Sequence, residues 1–200
     1  MPIQFRNTSF VAAVTNIEDA PKPDRPEIVF SGKSNVGKSS LINAIADNSK
    51  LARISGEPGK TRLVLYFDVD DRLYLVDLPG YGFAKAPKSV QEKYKSLVDR
   101  YFSVGRPISL VLHLMDIRRQ PSDQDLLMIS YMKSRNIPFF IVFTKVDKIS
   151  SAAARKNVDD YLHIMELDPS VSIFGISSSV KKGIEDLRKG ISAFLESSDG

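Results

Sequence analysis

A three-layer α/β/α fold, with a six-stranded, mostly parallel sheet and one antiparallel edge strand, is predicted from three observations. Strand-like apolar runs alternate with helix-like amphipathic stretches along most of the chain. That alternation demands right-handed crossovers and a sheet covered on both faces. Pro138 to Phe143, PFFIVF, is a continuous apolar run of the kind parallel strands show when both faces are buried. Asp70-Asp71 makes a tight polar turn between two apolar runs, which implies a hairpin and hence the antiparallel strand.

Taken in order, Met1 to Pro26 forms an N-terminal segment and a polar connector punctuated by Pro21, Pro23 and Pro26. The first strand is expected near 27–31 and leads through a Gly/Ser-rich turn into an apolar-periodic helix near 38–47. The hairpin strands fall near 63–69 and 73–77, followed by a helix near 89–103. Strand 108–115, helix 122–135, strand 138–143, helix 150–166, strand 171–176 and helix 183–196 complete the alternation. One domain is expected over residues 1–200, with 1–26 packed on it and the last few residues, from Ser197, fraying.

Bulk properties agree with this reading. A chain of 200 residues with 42% hydrophobic content can bury a real core. Cysteine is absent, which excludes disulfides and Cys-based metal sites and fits a reducing cytosol. No run of about 18 apolar residues and no basic-then-apolar leader occurs, so no membrane partner is expected.

Chemistry enters at Gly32 to Ser39, GKSNVGKS, a GxxxxGK[ST] phosphate-binding loop set between strand and helix. Gly32 and Gly37 permit the tight turn that aims the backbone N–H groups of Lys33, Ser34, Asn35 and Val36 inward. With the positive end of the following helix, which opens at Lys38, Ser39 and Ser40, these form a nest for phosphates. Lys38 can reach the β/γ oxygens, and the Ser39 hydroxyl can complete the shell of a Mg²⁺ ion.

The base is read further on. Thr144-Lys145-Val146-Asp147 follows the buried strand, where a ligand crevice is expected. An Asp147 carboxylate can accept from both N1–H and the exocyclic amine of guanine. Adenine offers no such pair and would leave the carboxylate unpartnered. The Lys145 stem can cover the face of the base, and the backbone of Ser177, Ser178 and Ser179 can reach the guanine O6. Between these elements, Asp77-Leu78-Pro79-Gly80 has the form of the DxxG element: Asp77 holds Mg²⁺ through water and the Gly80 N–H bonds the γ-phosphate. Pro58-Gly59-Lys60-Thr61 resembles a second phosphate loop, but Ile54 stands where its first glycine must be. It reads instead as a switch segment with Thr61 as the second direct Mg²⁺ ligand.

Together, GKSNVGKSSLINA, PGKTR, DLPGYGFAK, DIRRQPSDQD (Asp116 to Asp125) and TKVDK resemble the EngB family of bacterial ribosome-biogenesis GTPases, from about Pro26 to Leu195. The resemblance implies a P-loop, small-GTPase-like domain, acting as a cytoplasmic monomer that binds GTP/GDP and Mg²⁺. It also implies precursors of the large ribosomal subunit and their rRNA as partners. Tyr81 stands where many GTPases place a water-orienting Gln, so slow turnover and help from another cation are expected. Asn35 matches the loop Asn that related GTPases use to hold K⁺, which would make Lys38, Asn35, Thr61 and Gly80 the catalytic set. Two other readings stay open: a P-loop ATPase or kinase, which Asp147 opposes, and an RNA-binding module whose hydrolysis is incidental.

The net charge of +4 is gathered in clusters: Arg53, Lys60 and Arg62; Lys85, Lys88, Lys93 and Lys95; Arg118-Arg119; Lys181-Lys182. Two of these lie in segments expected to move with the γ-phosphate, which would couple nucleotide state to RNA affinity. Tyr81 and Phe83 could stack on bases or pack the switch. His113 reads as a core or edge histidine, and His163 as a helix residue without chemistry.

Overall fold

The computed structural model describes residues 3–52, 63–82 and 88–198; within these, the side chains of 88–91, 93–95 and 198 are not described. The strands are β1 (Thr8–Val14), β2 (Glu27–Gly32), β3 (Val64–Val69), β4 (Leu73–Asp77), β5 (Ile108–Asp116), β6 (Phe139–Thr144) and β7 (Ile173–Gly175). The helices are α1 (Lys38–Ala46), α2 (Lys88–Ser103), α3 (Asp123–Ser134), α4 (Ser151–Met165) and α5 (Ile184–Ser198).

One sheet runs in the order β1-β3-β4-β2-β5-β6-β7. Every pair from β4 to β7 is parallel, and β3 is antiparallel to both its neighbours. The predicted α/β/α architecture and its hairpin are therefore present, with two differences. Among the described residues the sheet has seven strands rather than six, because the N-terminal segment does more than pack on the body: it forms β1 and becomes the edge. The antiparallel strand β3 is thereby moved one place in from the edge.

The hairpin turn is built as the sequence requires. Asp70 and Asp71 both take positive φ, 56° and 53°, as the central residues of a tight turn closed by the Arg72 N–H on the Val69 carbonyl at 2.9 Å. The Asp70 carboxylate then accepts from the Gln4 backbone N–H and the Asn7 side chain, 3.1 and 3.0 Å away, tying the start of β1 to the turn.

Alternation along the strands distributes the core to two faces. Ile28 and Phe30 of β2, with Leu112 and Leu114 of β5, pack under Leu41, Ile42 and Ile45 of α1 and Leu187 and Ile191 of α5. Val29, Val111, Ile141 and Phe143 face the other way, against Val98 and Tyr101 of α2, Ile129 and Met132 of α3, and Tyr161 and Met165 of α4. Removing such a fully buried Leu or Ile to Ala costs about 2–5 kcal/mol, so these layers fix the ends of the parallel strands as a rigid platform.

The amino ends of β2 and β5 are closed by a buried ionic cluster. Glu27 accepts from both Nε and a terminal nitrogen of Arg106, and from the Tyr101 hydroxyl, while Arg106 also donates to the Pro21 carbonyl in the connector. That leaves the carboxyl ends of the same strands as the open end of the sheet.

Candidate functional site

At the carboxyl end of β2 the chain turns through Gly32, whose φ is +147°; a Cβ there would stand 2.6 Å from the Leu114 carbonyl oxygen, so no other residue fits. Asn35 takes φ 62° and Gly37 φ 117° before α1 begins. No side chain caps the first turn of α1, which leaves its amides directed into the loop, an arrangement suited to phosphate oxygens. Val36 is buried in the core and anchors the loop from below. The loop predicted from spacing thus takes a tight turn between β2 and α1.

Beside it, Asp77 ends β4 in register with Phe30 of β2. The Ser39 hydroxyl donates to its Oδ2 at 3.1 Å, and the Lys38 ammonium lies 3.8 Å from Oδ1. Asp77 is buried, and its Oδ1 has no hydrogen-bond partner among the described residues. Burial pushes this carboxyl above the ordinary carboxylate range, against the opposing pull of Lys38 and Ser39. A buried, incompletely paired carboxylate hydrogen-bonded to a serine hydroxyl fits a hydrated Mg²⁺ ion. Among the described residues no cluster of three or more His, Cys, Asp or Glu could hold a metal alone, so such an ion would rely on nucleotide phosphates for the rest of its shell.

The DLPG segment closes on the phosphate loop through its backbone. Tyr81 donates from its N–H to the Gly32 carbonyl at 3.3 Å and accepts from the Ser34 N–H at 2.7 Å. Gly80 is held so close that a Cβ would stand 2.8 Å from the Ser34 nitrogen and 2.9 Å from Lys38 Nζ. Leu78 and Pro79 are buried, so their contribution to the site is through the backbone.

On the other side of α1 lies a cavity of about 570 Å³, lined by Gly37, Ser40, Asn43, Thr144, Lys145, Asp147 and Ser177 to Ser179. The Asp147 carboxyl is held at about 2, below the usual range, chiefly by hydrogen bonding from Ser177 and by Lys148. The Ser179 hydroxyl also reaches Asp147 Oδ2, at 3.5 Å. Lys145 takes φ 62° and carries its ammonium to the Asn35 carbonyl at 3.0 Å and Asp116 Oδ2 at 2.9 Å. Its stem therefore bridges this cavity and the loop from Gly32 to Ser39. Thr144 lines the cavity, yet its hydroxyl turns inward to the carbonyls of Val36 and Met115, at 2.8 and 3.3 Å, and so ties the two loops together.

The structure brings Gly32 to Ser40, Asp77 to Gly80, Thr144, Lys145, Asp147 and Ser177 to Ser179 to one end of the sheet. Gly59, Lys60 and Thr61 lie outside the described residues, as do Arg53, Arg62, Phe83, Lys85 and the side chains of Lys88, Lys93 and Lys95. Two residues acquire partners that sequence alone did not assign. Asp116 grips both Lys145 and Arg118, and Asp125 accepts from Tyr81. Their signal is the stretch Asp116 to Asp125, which the family resemblance marks without showing what it touches.

A parallel sheet carrying a phosphate loop and a DxxG segment on adjacent strand ends defines a P-loop nucleotide-binding fold. Residues 27–145 match the family model described as 50S ribosome-binding GTPase. The chain is 37% identical over 201 residues to the probable GTP-binding protein EngB of Halothermothrix orenii, covering 99% of this chain and all of that one. It is 40% identical over 192 residues to the EngB protein of Thermotoga maritima, covering 96% and 98%. The chain belongs to the EngB family of GTP-binding proteins. In fold it is similar to a crystallised probable EngB protein (TM-score 0.73, 24% identity, 86% of this chain and 99% of that one). It is also similar to Era in complex with MgGDPNP and nucleotides 1506–1542 of 16S ribosomal RNA (TM-score 0.62, 26% identity, 85% and 57%). Among the described residues no helix is long and apolar enough to cross a membrane.

Proposed function

We propose that this protein is a GTP-hydrolysing molecular switch of the bacterial cytoplasm that assists assembly of the large ribosomal subunit, acting as a monomer on precursor particles and their rRNA. The observation that carries the reading is the convergence at one sheet end of a phosphate cradle, the Ser39–Asp77 pair and the Asp147 cavity. Family membership and the ribosome-binding family model support the partner.

In this reading the amides from Lys33 to Ser40 bind the phosphates and Lys38 neutralises the β/γ oxygens. Ser39, Thr61 and, through water, Asp77 would hold Mg²⁺, which when bound would supply charge neutralisation at the developing phosphate oxygens. Gly80 offers its N–H to the γ-phosphate. Asp147 selects guanine, Lys145 covers its face, and Ser177 to Ser179 approach O6. Asn35 would hold K⁺, in place of an arginine finger, which calls for a slow intrinsic rate that rises in K⁺.

Competition binding of GTP against ATP, followed by co-sedimentation with ribosomal subunits in GDP and in a non-hydrolysable GTP analogue, tests the proposal. Preference for GTP and GTP-enhanced association with large subunits are expected; equal association in both states refutes the switch. Hydrolysis in K⁺ should exceed that in Na⁺ at equal ionic strength, a difference that Asn35→Ala abolishes. Thr61→Ala should spare GDP binding and weaken the GTP state, because its ligation depends on the γ-phosphate.

A further inference from the structure

Tyr81 occupies the position directly after the DxxG glycine, yet its side chain does not face the phosphate cradle. It is buried beneath the loop, its ring 18° from parallel with the imidazole of His113 at a centroid distance of 6.3 Å. The Tyr81 hydroxyl donates to Asp125 Oδ1 and lies 3.4 Å from His113 Nε2. His113 Nε2 is in turn 3.6 Å from the same carboxylate oxygen. The other oxygen, Oδ2, accepts from the backbone N–H and the hydroxyl of Ser122, at 2.8 and 2.6 Å, closing the capping box that starts α3. The two oxygens of Asp125 thus divide their work between the helix start and the tyrosine.

Both anchors belong to rigid elements. His113 is fully buried in the middle of β5, in register with Ser31 of β2 and Ile141 of β6. Asp125 sits in the first turn of α3. Tyr81 is therefore held at both ends: its phenol by β5 and α3, its backbone by Gly32 and Ser34 of the phosphate loop. Gly80, the residue that would meet the γ-phosphate, immediately precedes this doubly held residue and is in contact distance of Ser34 and Lys38. A shift of Tyr81 must carry Gly80 with it.

We propose that Asp125 and His113 are positioning residues for the DLPG segment, acting through the Tyr81 hydroxyl to set Gly80 against the phosphate loop. The inference rests on the GTPase reading of the site and assigns a role to the Asp116-to-Asp125 stretch. It also explains how an aromatic residue stands at this place: the phenol serves as a tether to the sheet, and the backbone ahead of it does the work at the phosphate. Burial alone would raise the Asp125 carboxyl; its contacts with His113, Ser122 and Tyr81 outweigh that and hold it at about 2, so it is an ionised acceptor at neutral pH. A hydroxyl-to-carboxylate bond in a buried site is among the stronger hydrogen bonds.

The test is Tyr81→Phe, which removes one oxygen and keeps the ring, with Asp125→Asn as a second variant and Ser122→Ala as a control that removes one donor from the opposite oxygen of Asp125 and spares its contact with Tyr81. Affinities for GDP and for a non-hydrolysable GTP analogue, and kcat for GTP, are measured on each full-length protein. The tether predicts that Tyr81→Phe and Asp125→Asn leave GDP affinity within about 2-fold, weaken the GTP analogue by roughly 5–10-fold and lower kcat by a similar factor. Ser122→Ala should leave the ratio of the two affinities unchanged. A tyrosine that merely fills space would lower the melting temperature without splitting GTP from GDP. An unchanged ratio in both Tyr81→Phe and Asp125→Asn, or equal losses for the two nucleotides, overturns the tether. Failure of the wild-type protein to bind either guanine nucleotide would instead overturn the reading of the site, and the two failures cannot be confused.

Discussion

Asp147 shows how much a single side chain decides. Its carboxylate faces the cavity with hydroxyls of the 177–179 turn beside it, and at about 2 it is ionised throughout the neutral range. Guanine presents two donors to such a group. Asp147→Asn places an amide donor against them, so GTP affinity should fall by roughly 100-fold or more, while xanthosine triphosphate, whose C2 carbonyl complements an amide, should gain. Competition between the two nucleotides measures this directly, and unchanged GTP affinity removes Asp147 from the base site. Asp125 supports a second residue-scale prediction. Its folded value, about 2, lies below the ordinary carboxylate value. Its contribution is therefore complete above about pH 4 and is lost as pH falls towards 2, with a magnitude of about 2 kcal/mol. The stability difference between wild type and Asp125→Asn, followed by denaturant unfolding from pH 6 downward, should be flat to about pH 4 and shrink below it. A difference that grows on acidification contradicts the assignment of the carboxylate as hydrogen-bond acceptor.

The elements themselves were legible wherever one local rule sufficed. Most of PFFIVF, Phe140 to Phe143, is buried in β6, Asp70-Asp71 makes the turn its chemistry calls for, and GKSNVGKS needs glycine at Gly32 because of a neighbouring carbonyl. What escaped were features set by partners distant in sequence. The segment Thr8 to Val14 carries no strand signal of its own: only its two ends are buried, and Ala12 and Ala13 give a weak alternation. It becomes β1 because the outer edge of β3 is there to receive it, over pairs from Thr8–Val69 to Val14–Val64. Likewise Tyr81 could have been a base-stacking residue until Asp125 and His113 appeared beneath it, 44 and 32 positions away. Deletion of residues 1–14 tests the strand: it uncovers Val64 and Phe67, strips Asp70 of its Gln4 and Asn7 partners, and should cost roughly 3 kcal/mol or more. Chemical denaturation should register that loss together with a smaller dependence on denaturant. A truncated chain of unchanged stability would mean that β1 contributes nothing to the sheet.

On the scale of the whole molecule, the net charge of +4 becomes informative once the structure shows which cations are already engaged. Arg118 is bound to Asp116 and Lys181 to Asp47, while Lys145 bridges Asn35 and Asp116. These cations hold the site together and are poorly placed to meet a second polyanion. The proposed RNA contacts fall to the clusters expected in the two switch segments, Arg53, Lys60 and Arg62 with Lys85 and Lys88, whose side chains lie outside the described residues. If GTP closes both segments into one basic surface, the GTP form should bind ribosomal RNA or large-subunit precursors more tightly than the GDP form. The affinity should fall with salt, each phosphate contact contributing roughly −0.7 to −0.9 to the slope of log K against log salt. Reversing the charge of Lys85 and Lys88 should then flatten the slope by roughly 1.5 and leave nucleotide affinity unchanged, as filter binding across a salt series would record. If the reversals instead impair GTP binding, that cluster belongs to the nucleotide site; if the slope is the same in GDP and GTP, the charge is not gated by the switch.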